Sequence, residues 1–199
     1  MKYPPPHHQD NDQNHMIEVI KAYPLATVIS VTDNTPFISH LPLIFDSGKL
    51  IGHIDIYNPQ AKLLKDDNDV TVIFSGPQCY ISPSIYSTTQ LPTWNYIKVH
   101  LKGHVKAIES KASLKQSLIT MTEFLEAPNH KYILDPKNPR LDRNLDYITM
   151  FEITISNWEG KFKLSQDKKP KDINNAREEL LKSNQESIKQ FLDNVFNNL

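Results

Sequence analysis

The sequence predicts a mainly β fold with flanking helices, built around a closed or nearly closed sheet. Five short runs rich in β-branched residues follow one another at 25–32, 36–45, 49–56, 70–74 and 80–86. Turn-forming residues separate these runs at Asp33-Asn34, Asp46-Ser47-Gly48, 66–69 and Gly76-Pro77. Short strands at this density, divided by residues that favour turns, indicate a sheet that closes on itself.

A longer strand is predicted over 97–108, where apolar and polar residues alternate. Because successive side chains of a strand point to opposite faces, this pattern gives one apolar and one polar face. The apolar face carries Ile97, Val99, Leu101, Val105 and Ala107, and the polar face carries Lys98, His100, Lys102, His104 and Lys106. The preceding Pro92-Thr93-Trp94-Asn95-Tyr96 brings aromatic rings and an amide to the strand entrance, a combination suited to a planar ligand at the rim of a barrel.

Helical patterns flank the predicted strands. Helices are expected at 10–22, 58–65, 113–126 and 174–199, and a further alternating strand at 149–156. The first helix begins at a capping Asp or Asn and ends before Pro24. The apolar stripe of the last helix requires a partner surface, either the barrel or a second subunit. We therefore predict one domain over 1–170, followed by an amphipathic helix over 171–199.

Composition limits the classes of function. The formal net charge of −1 gives no overall attraction to nucleic acid or to anionic membranes. Three of the 22 basic residues are arginines, whereas base recognition favours the guanidinium fork, so direct DNA reading is disfavoured. The single Cys79 indicates a reducing compartment, and the chain has neither the apolar core of a signal peptide nor an apolar run of about 20 residues. We expect a cytoplasmic protein that does not enter the membrane.

Six short motifs, taken in order, carry a family resemblance. They are Tyr23-Pro24-Leu25-Ala26-Thr27, Ser39-His40-Leu41-Pro42-Leu43, Gly52-His53 with Asn58-Pro59, Tyr80-Ile81-Ser82-Pro83-Ser84, Pro92-Thr93-Trp94-Asn95-Tyr96, and 159–166. The series resembles the PaiB family of FMN-binding negative transcriptional regulators. That resemblance implies an FMN-binding split β-barrel related to flavin reductases and pyridoxamine-phosphate oxidases. The sequence departs from the family pattern at Phe162, where tryptophan is usual, and at Asp167-Lys168, where Asn-Arg is more familiar.

The resemblance also implies candidate contacts to FMN. A flavin ring needs aromatic or apolar walls with polar groups at its edge, and its phosphate needs cationic or hydroxyl donors. Trp94 and Tyr96 are candidate ring walls, and Thr93 or Asn95 is a candidate donor to the ring edge. Lys161, Lys163 and Ser165 suit the phosphate. The alternative for these lysines is a solvated turn, and for Trp94 it is a purely structural role in the core or an interface.

Ser39, His40 and His53 complete the candidate site. The two histidines lie on neighbouring predicted strands and are expected to face a common cleft, where they orient a ligand or exchange a proton near neutral pH. No neighbouring carboxylate or thiolate completes a metal site around them, so no metal is predicted. Glycines are too widely spaced for a Rossmann or P-loop motif, and no nucleophile elbow surrounds Ser82-Pro83-Ser84.

Three functions remain open at the level of the sequence. The first is an FMN-binding regulator, expected to be a homodimer that holds FMN at the subunit interface and acts on DNA through a partner protein or a small-molecule signal. The second is an FMN-dependent oxidoreductase or flavin reductase, because the flavin itself would supply the redox chemistry. The third is a barrel that has lost its ligand and serves as an interaction module. The sequence leaves open whether the chain is an enzyme.

Overall fold

The computed structural model describes residues 4–65 and 67–186, which contain seven strands and four α-helices. The strands are β1 Gln9–Asp10, β2 Leu25–Thr32, β3 Thr35–Asp46, β4 Lys49–Asp55, β5 Asp69–Ile81, β6 Thr93–Ile108 and β7 Ile148–Lys163. The helices are α1 Gln13–Ala22, α2 Lys111–Glu126, α3 Pro139–Asn144 and α4 Pro170–Glu186. Short 3₁₀ helices occupy Pro6–His8, Pro59–Lys62 and Pro83–Ile85. The predicted β fold with flanking helices is therefore confirmed.

The strands form one sheet in the order β1-β7-β4-β3-β2-β5-β6, and β6 also pairs with β7. Six strands are thereby joined in a closed circuit, which leaves few free backbone donors and acceptors at sheet edges. The β2–β3 hairpin pairs Leu25 with Pro42 and Thr32 with Thr35. Its two turn residues, Asp33 and Asn34, have φ angles of 49° and 58°, as the tight turns of twisted hairpins require.

The chain is organised as two compact units, and the first comprises residues 4–12, 75–99 and 159–186 among those described. In this unit α4 packs on the end of β5, where Ala176 joins Cys79 and Ile81 in a buried apolar cluster. The buried carboxylate of Asp172, in the first turn of α4, accepts hydrogen bonds from the backbone N–H of Ser87 at 2.8 Å and from its hydroxyl at 3.1 Å. These contacts tie the helix start to the loop after β5.

The second unit comprises residues 13–74 without residue 66, and 100–158. Its core contains fully buried side chains from the β-strands, including Val28, Leu43, Leu50, Val72, Phe74, Leu101, Phe151 and Ile153. Helix α2 covers one side of this unit, because Leu114 packs with Leu141, Leu145 and Met150. At Gly103 a β-carbon would lie 2.5 Å from the carbonyl oxygen of Thr154, so β6 and β7 approach too closely there for any side chain.

Two local predictions are wrong. Gly76-Pro77 was predicted to be a turn, but both residues lie inside β5, which is continuous from Asp69 to Ile81. A β-carbon at Gly76 would lie 3.2 Å from Ile97, so this glycine serves a close approach of β6. The run predicted as a strand over 80–86 stops at Ile81, because Ser82 caps the 3₁₀ helix Pro83–Ile85.

The remaining helix predictions agree with the structure in position and differ in extent. The segment 58–65 forms a 3₁₀ helix over Pro59–Lys62, and α2 begins at Lys111, where Ser110 is the cap. The helix predicted at 174–199 begins earlier, at Pro170, and its part beyond 186 lies outside the described residues. No helix in 4–65 or 67–186 is both long and apolar enough to cross a membrane.

Candidate functional site

A cavity of about 280 Å³ lies in the first unit, where β6 begins and β7 ends. Its walls come from the N-terminal segment, the loop that precedes β6, and the turn that follows β7. The lining residues are His8, Tyr86, Gln90, Leu91, Pro92, Thr93, Lys163, Ser165, Asp167 and Lys168. The cavity thus brings together three hydroxyl groups, two ammonium groups, one imidazole and one carboxylate.

Thr93 and Lys163 form one wall of this cavity. The ammonium Nζ of Lys163 donates a hydrogen bond to Thr93 Oγ1 over 2.6 Å, and both side chains are half-buried. The bond uses one of the three ammonium protons, so two remain for another acceptor. Sequence analysis placed both residues in the candidate site, and the structure brings them into contact.

Ser165 is held in place by two further residues. Its Oγ accepts from Asn95 Nδ2 at 3.1 Å, lies 3.2 Å from Asn95 Oδ1, and lies 2.8 Å from the hydroxyl of Tyr86. Ser165 and Asn95 are both almost fully buried. The backbone φ of Ser165 is 64°, a conformation that non-glycine residues adopt at some cost and that clusters at functional sites. Asn95 and Tyr86 therefore position the Ser165 hydroxyl at the cavity.

The charges around the cavity favour an anion. Lys168 pairs with Asp167 at 2.7 Å, which leaves the ammonium of Lys163 as an excess positive charge. Burial, followed by the nearby His7 and Lys163, lowers the pKa of His8, so that its imidazole is neutral at pH 7. Burial acts to raise the pKa of Asp167, but the hydrogen bond and charge of Lys168 outweigh it and lower that pKa. Ammonium and hydroxyl donors of this kind match the oxygens of a phosphate group.

Trp94 lies apart from these donors. Alternation along β6 places Trp94 and Tyr96 on the face opposite Thr93 and Asn95. The indole of Trp94 is 49% exposed, and its ring centroid lies 6.3 Å from that of Tyr80, which is exposed to the same extent. Tyr96 is half-buried. An exposed pair of aromatic rings offers a stacking surface for a planar ligand.

Lys161 lies outside the described residues that line the cavity. Its ammonium instead approaches the carboxylate of Glu159 at 3.4 Å, and its backbone lies opposite Gln9 in the β1–β7 pair. Lys161 and Lys163 thus have different surroundings, although both had been assigned to the phosphate.

Ser39, His40 and His53 belong to the second unit. The hydroxyl of Ser39 is buried and accepts a hydrogen bond from Asn58 Nδ2 at 3.0 Å. His40 is exposed, and its Nδ1 lies 3.1 Å from Thr27 Oγ1. His53 is half-buried, and its Nε2 lies 2.7 Å from Ser117 Oγ.

The hydrogen bond with Ser117 identifies the ring nitrogen of His53 that carries the proton. Ser117 donates its one hydroxyl proton to the carbonyl of Leu114 at 2.9 Å, so its oxygen accepts from His53 Nε2–H. Burial lowers the pKa of His53 from 6.5 to about 4. His53 is therefore a neutral structural donor at pH 7.

Acidification should destabilise the protein through His53. The unfolded state binds a proton near pH 6.5 and the folded state only near pH 4, so the stability contributed by neutral His53 is complete above pH 6.5 and falls as the pH drops towards 4. The full loss is about 3 kcal/mol. Urea unfolding measured from pH 7 to pH 4 should show that the free energy of unfolding depends less on pH in His53→Gln than in wild type. The control is His130→Gln, an exposed histidine, for which the free energy of unfolding should depend on pH as in wild type. The same pH dependence in His53→Gln as in wild type would contradict this account.

Three cavity residues with polar side chains escaped the sequence analysis: His8, Tyr86 and Gln90. Asp167 and Lys168 were noted only as a departure from a family pattern. His8 is separated from Lys163 by more than 150 residues, and no local periodicity links them. Tyr86 follows the Tyr80-Ile81-Ser82-Pro83-Ser84 motif, and that proximity was the one signal that could have indicated it.

Comparison with known proteins identifies the class. Residues 2–157 match the family model described as "Putative FMN-binding domain". The chain is 31% identical over 172 residues to Protease synthase and sporulation protein PAI 2 of Bacillus subtilis, covering 84% of this chain and 83% of that protein. The fold resembles the FAD and heme binding protein of Mycobacterium smegmatis, with a TM-score of 0.66, 18% identity, and coverage of 84% of this chain and 79% of that chain. It also resembles the flavocytochrome Anf3 of Azotobacter vinelandii, with a TM-score of 0.62, 19% identity, and coverage of 78% and 69%.

The sheet topology and the likeness to these solved structures show a split-barrel fold, as the sequence predicted. The chain belongs to the family of FMN-binding domains, and the resemblance to the PaiB family is confirmed. The donor set of the cavity fits FMN, because ammonium and hydroxyl groups suit its phosphate. Lys163, Ser165 and Lys168 lie beyond residue 157, where the family match ends.

Proposed function

We propose that the cavity of the first unit binds the phosphate of FMN. The observation that carries this proposal is the convergence of Lys163, Thr93 and Ser165 on one cavity, with Lys168 and Tyr86 beside them. Two ammonium groups offer charge-assisted hydrogen bonds, and three hydroxyl groups satisfy the remaining phosphate oxygens. Asn95 acts as a positioning residue, since its amide donates a hydrogen bond to the Ser165 hydroxyl.

The flavin ring requires a surface outside this cavity, because a volume of about 280 Å³ suits the phosphate end of FMN rather than the whole molecule. The exposed indole of Trp94 suits that purpose, yet it lies on the opposite face of β6 from Thr93. We infer a homodimer in which Trp94 and Tyr96 of one protomer cover the flavin bound by the other. Ser39, His40 and His53 stay predicted cofactor contacts, whereas Lys161, whose ammonium pairs with Glu159, is not assigned to the phosphate in this proposal.

The biological role that we propose is that of a cytoplasmic, flavin-responsive regulator. The similar Bacillus subtilis protein is named for protease synthesis and sporulation, which are processes rather than a substrate. With a net charge of −1 and three arginines, the chain is better suited to act through a protein partner than to read DNA directly. Bound FMN supplies redox chemistry, and the chain's own residues hold and orient it.

A turnover assay distinguishes this regulator from a flavin reductase. The FMN-loaded protein is mixed with NADH or NADPH and a small-molecule electron acceptor, and nicotinamide oxidation is followed by absorbance. We expect the loaded protein to oxidise the nicotinamide no faster than the same concentration of free FMN. Sustained turnover well above free FMN would identify an oxidoreductase and overturn the regulatory role. Failure of the purified protein to take up FMN would instead indicate a ligand-free interaction module.

A further inference from the structure

Three potential metal ligands meet at the edge of the cavity. His7 and His8 end the N-terminal 3₁₀ helix, and Asp167 follows the end of β7. One ligand atom from each lies within 4.8 Å of the other two. The imidazole rings of His7 and His8 stand edge to face, with centroids 4.2 Å apart, so both rings are already directed to one region.

We propose that His7, His8 and Asp167 bind a divalent transition metal ion such as Zn²⁺. Imidazole nitrogen and carboxylate oxygen are the ligands that Zn²⁺ and Co²⁺ take in proteins, whereas Mg²⁺ and Ca²⁺ prefer all-oxygen sites. In a tetrahedral zinc site neighbouring ligand atoms lie about 3.4 Å apart, so small side-chain rotations suffice to close the present cluster. Three protein ligands leave a fourth position for water or an anion.

Lys168 competes with the metal for Asp167. Its Nζ lies 2.7 Å from Asp167 Oδ2, and its positive charge opposes a second cation nearby. A carboxylate has two oxygens, so Asp167 can bind a metal through one oxygen and accept from Lys168 through the other. Removing the Lys168 ammonium should therefore strengthen metal binding.

Lys168 is expected to act in opposite directions on the metal site and on the proposed phosphate site, so its substitution distinguishes the two. Lys168 is expected to help hold the FMN phosphate but to hinder the metal. A single change, Lys168→Met, should weaken FMN binding and tighten metal binding. The metal proposal does not depend on FMN, and it is tested on flavin-free protein.

The test is a Co²⁺ titration of the full chain, followed by the visible d–d absorption of the bound ion. Wild type should bind one Co²⁺ with a spectrum that indicates nitrogen ligands, and Zn²⁺ should displace it. His7→Ala, His8→Ala and Asp167→Asn should each weaken binding by about tenfold or more. Lys168→Met should tighten it by about two- to fivefold.

His104→Ala is the matched control, because His104 Nδ1 lies 2.9 Å from Asp69 in a separate pair of one imidazole and one carboxylate. That variant should bind Co²⁺ like wild type. Circular dichroism checks the fold of every variant, and Asp167→Asn decides the matter if a histidine variant is unfolded. The proposal is overturned by unchanged affinity in Asp167→Asn, by an equal loss in His104→Ala, or by weaker Co²⁺ binding in Lys168→Met.

Discussion

The double substitution Lys163→Met with Lys168→Met is expected to reduce FMN affinity by about 100-fold or more, since each charge-assisted hydrogen bond to phosphate is worth about 1.5–3 kcal/mol. Methionine keeps the length and apolar stem of lysine and removes only the ammonium. Riboflavin has the same ring and no phosphate, so its affinity should change by less than about threefold. Fluorescence titration of both flavins measures the two losses separately.

Lys161→Met is the matched control for this experiment. Lys161 lies two residues before Lys163 on β7, but its ammonium approaches Glu159 rather than the cavity. We expect FMN affinity within about threefold of wild type, as for other partly solvated ion pairs. Equal losses of FMN and riboflavin in the double variant would mean that the lysines support the fold or the ring, and the phosphate would then lie elsewhere.

Phe151→Ala should lower the free energy of unfolding by about 3–5 kcal/mol, the cost of deleting a fully buried phenyl ring. Phe151 is 0% exposed. The ring packs so closely on β4 that a β-carbon built at Gly52 would lie 2.8 Å from its Cζ. Neighbouring strands are fixed by the sheet and cannot collapse into the space left behind. Urea denaturation, with the m-value checked for two-state behaviour, measures this loss.

Phe45→Ala provides the comparison within the same unit. Phe45 is half-buried and packs edge to face on Trp158, with ring centroids 5.8 Å apart. Its loss should cost about 1–2 kcal/mol, because part of the ring is already in contact with water. If Phe45→Ala proved as damaging as Phe151→Ala, the placement of the core around Phe151 would be wrong.

Local sequence patterns were sufficient to predict most of the fold. The run over Leu25–Thr32 was predicted with its observed limits, because β-branched residues are concentrated there between Pro24 and the Asp33-Asn34 turn. The alternation over 97–108 gave the buried and exposed faces of β6, with Val99, Leu101 and Val105 buried. The turn predicted at Gly76-Pro77 was wrong, and it had been predicted because glycine and proline favour turns locally. Both residues instead lie within the continuous strand β5, where Gly76 faces Ile97 at a distance too short for a larger side chain, and no local rule reports that contact.

The candidate site was harder to predict than the fold. Thr93, Asn95, Lys163 and Ser165 were found through motifs, and the structure brings these four residues together. Motifs order residues along the chain but do not say which face of a strand each occupies, so Trp94 and Thr93 had been assigned to one site. His7, His8 and Asp167 meet only because β1 pairs with β7, a contact between distant parts of the sequence.

A crystal structure of the full chain with FMN tests the central claim most directly. We expect the phosphate density within hydrogen-bond distance of Lys163 Nζ and Ser165 Oγ, in the cavity that Tyr86 and Thr93 also line. Phosphate density at any other place, with Lys163 still bound to Thr93 and no acceptor in the cavity, would contradict the account.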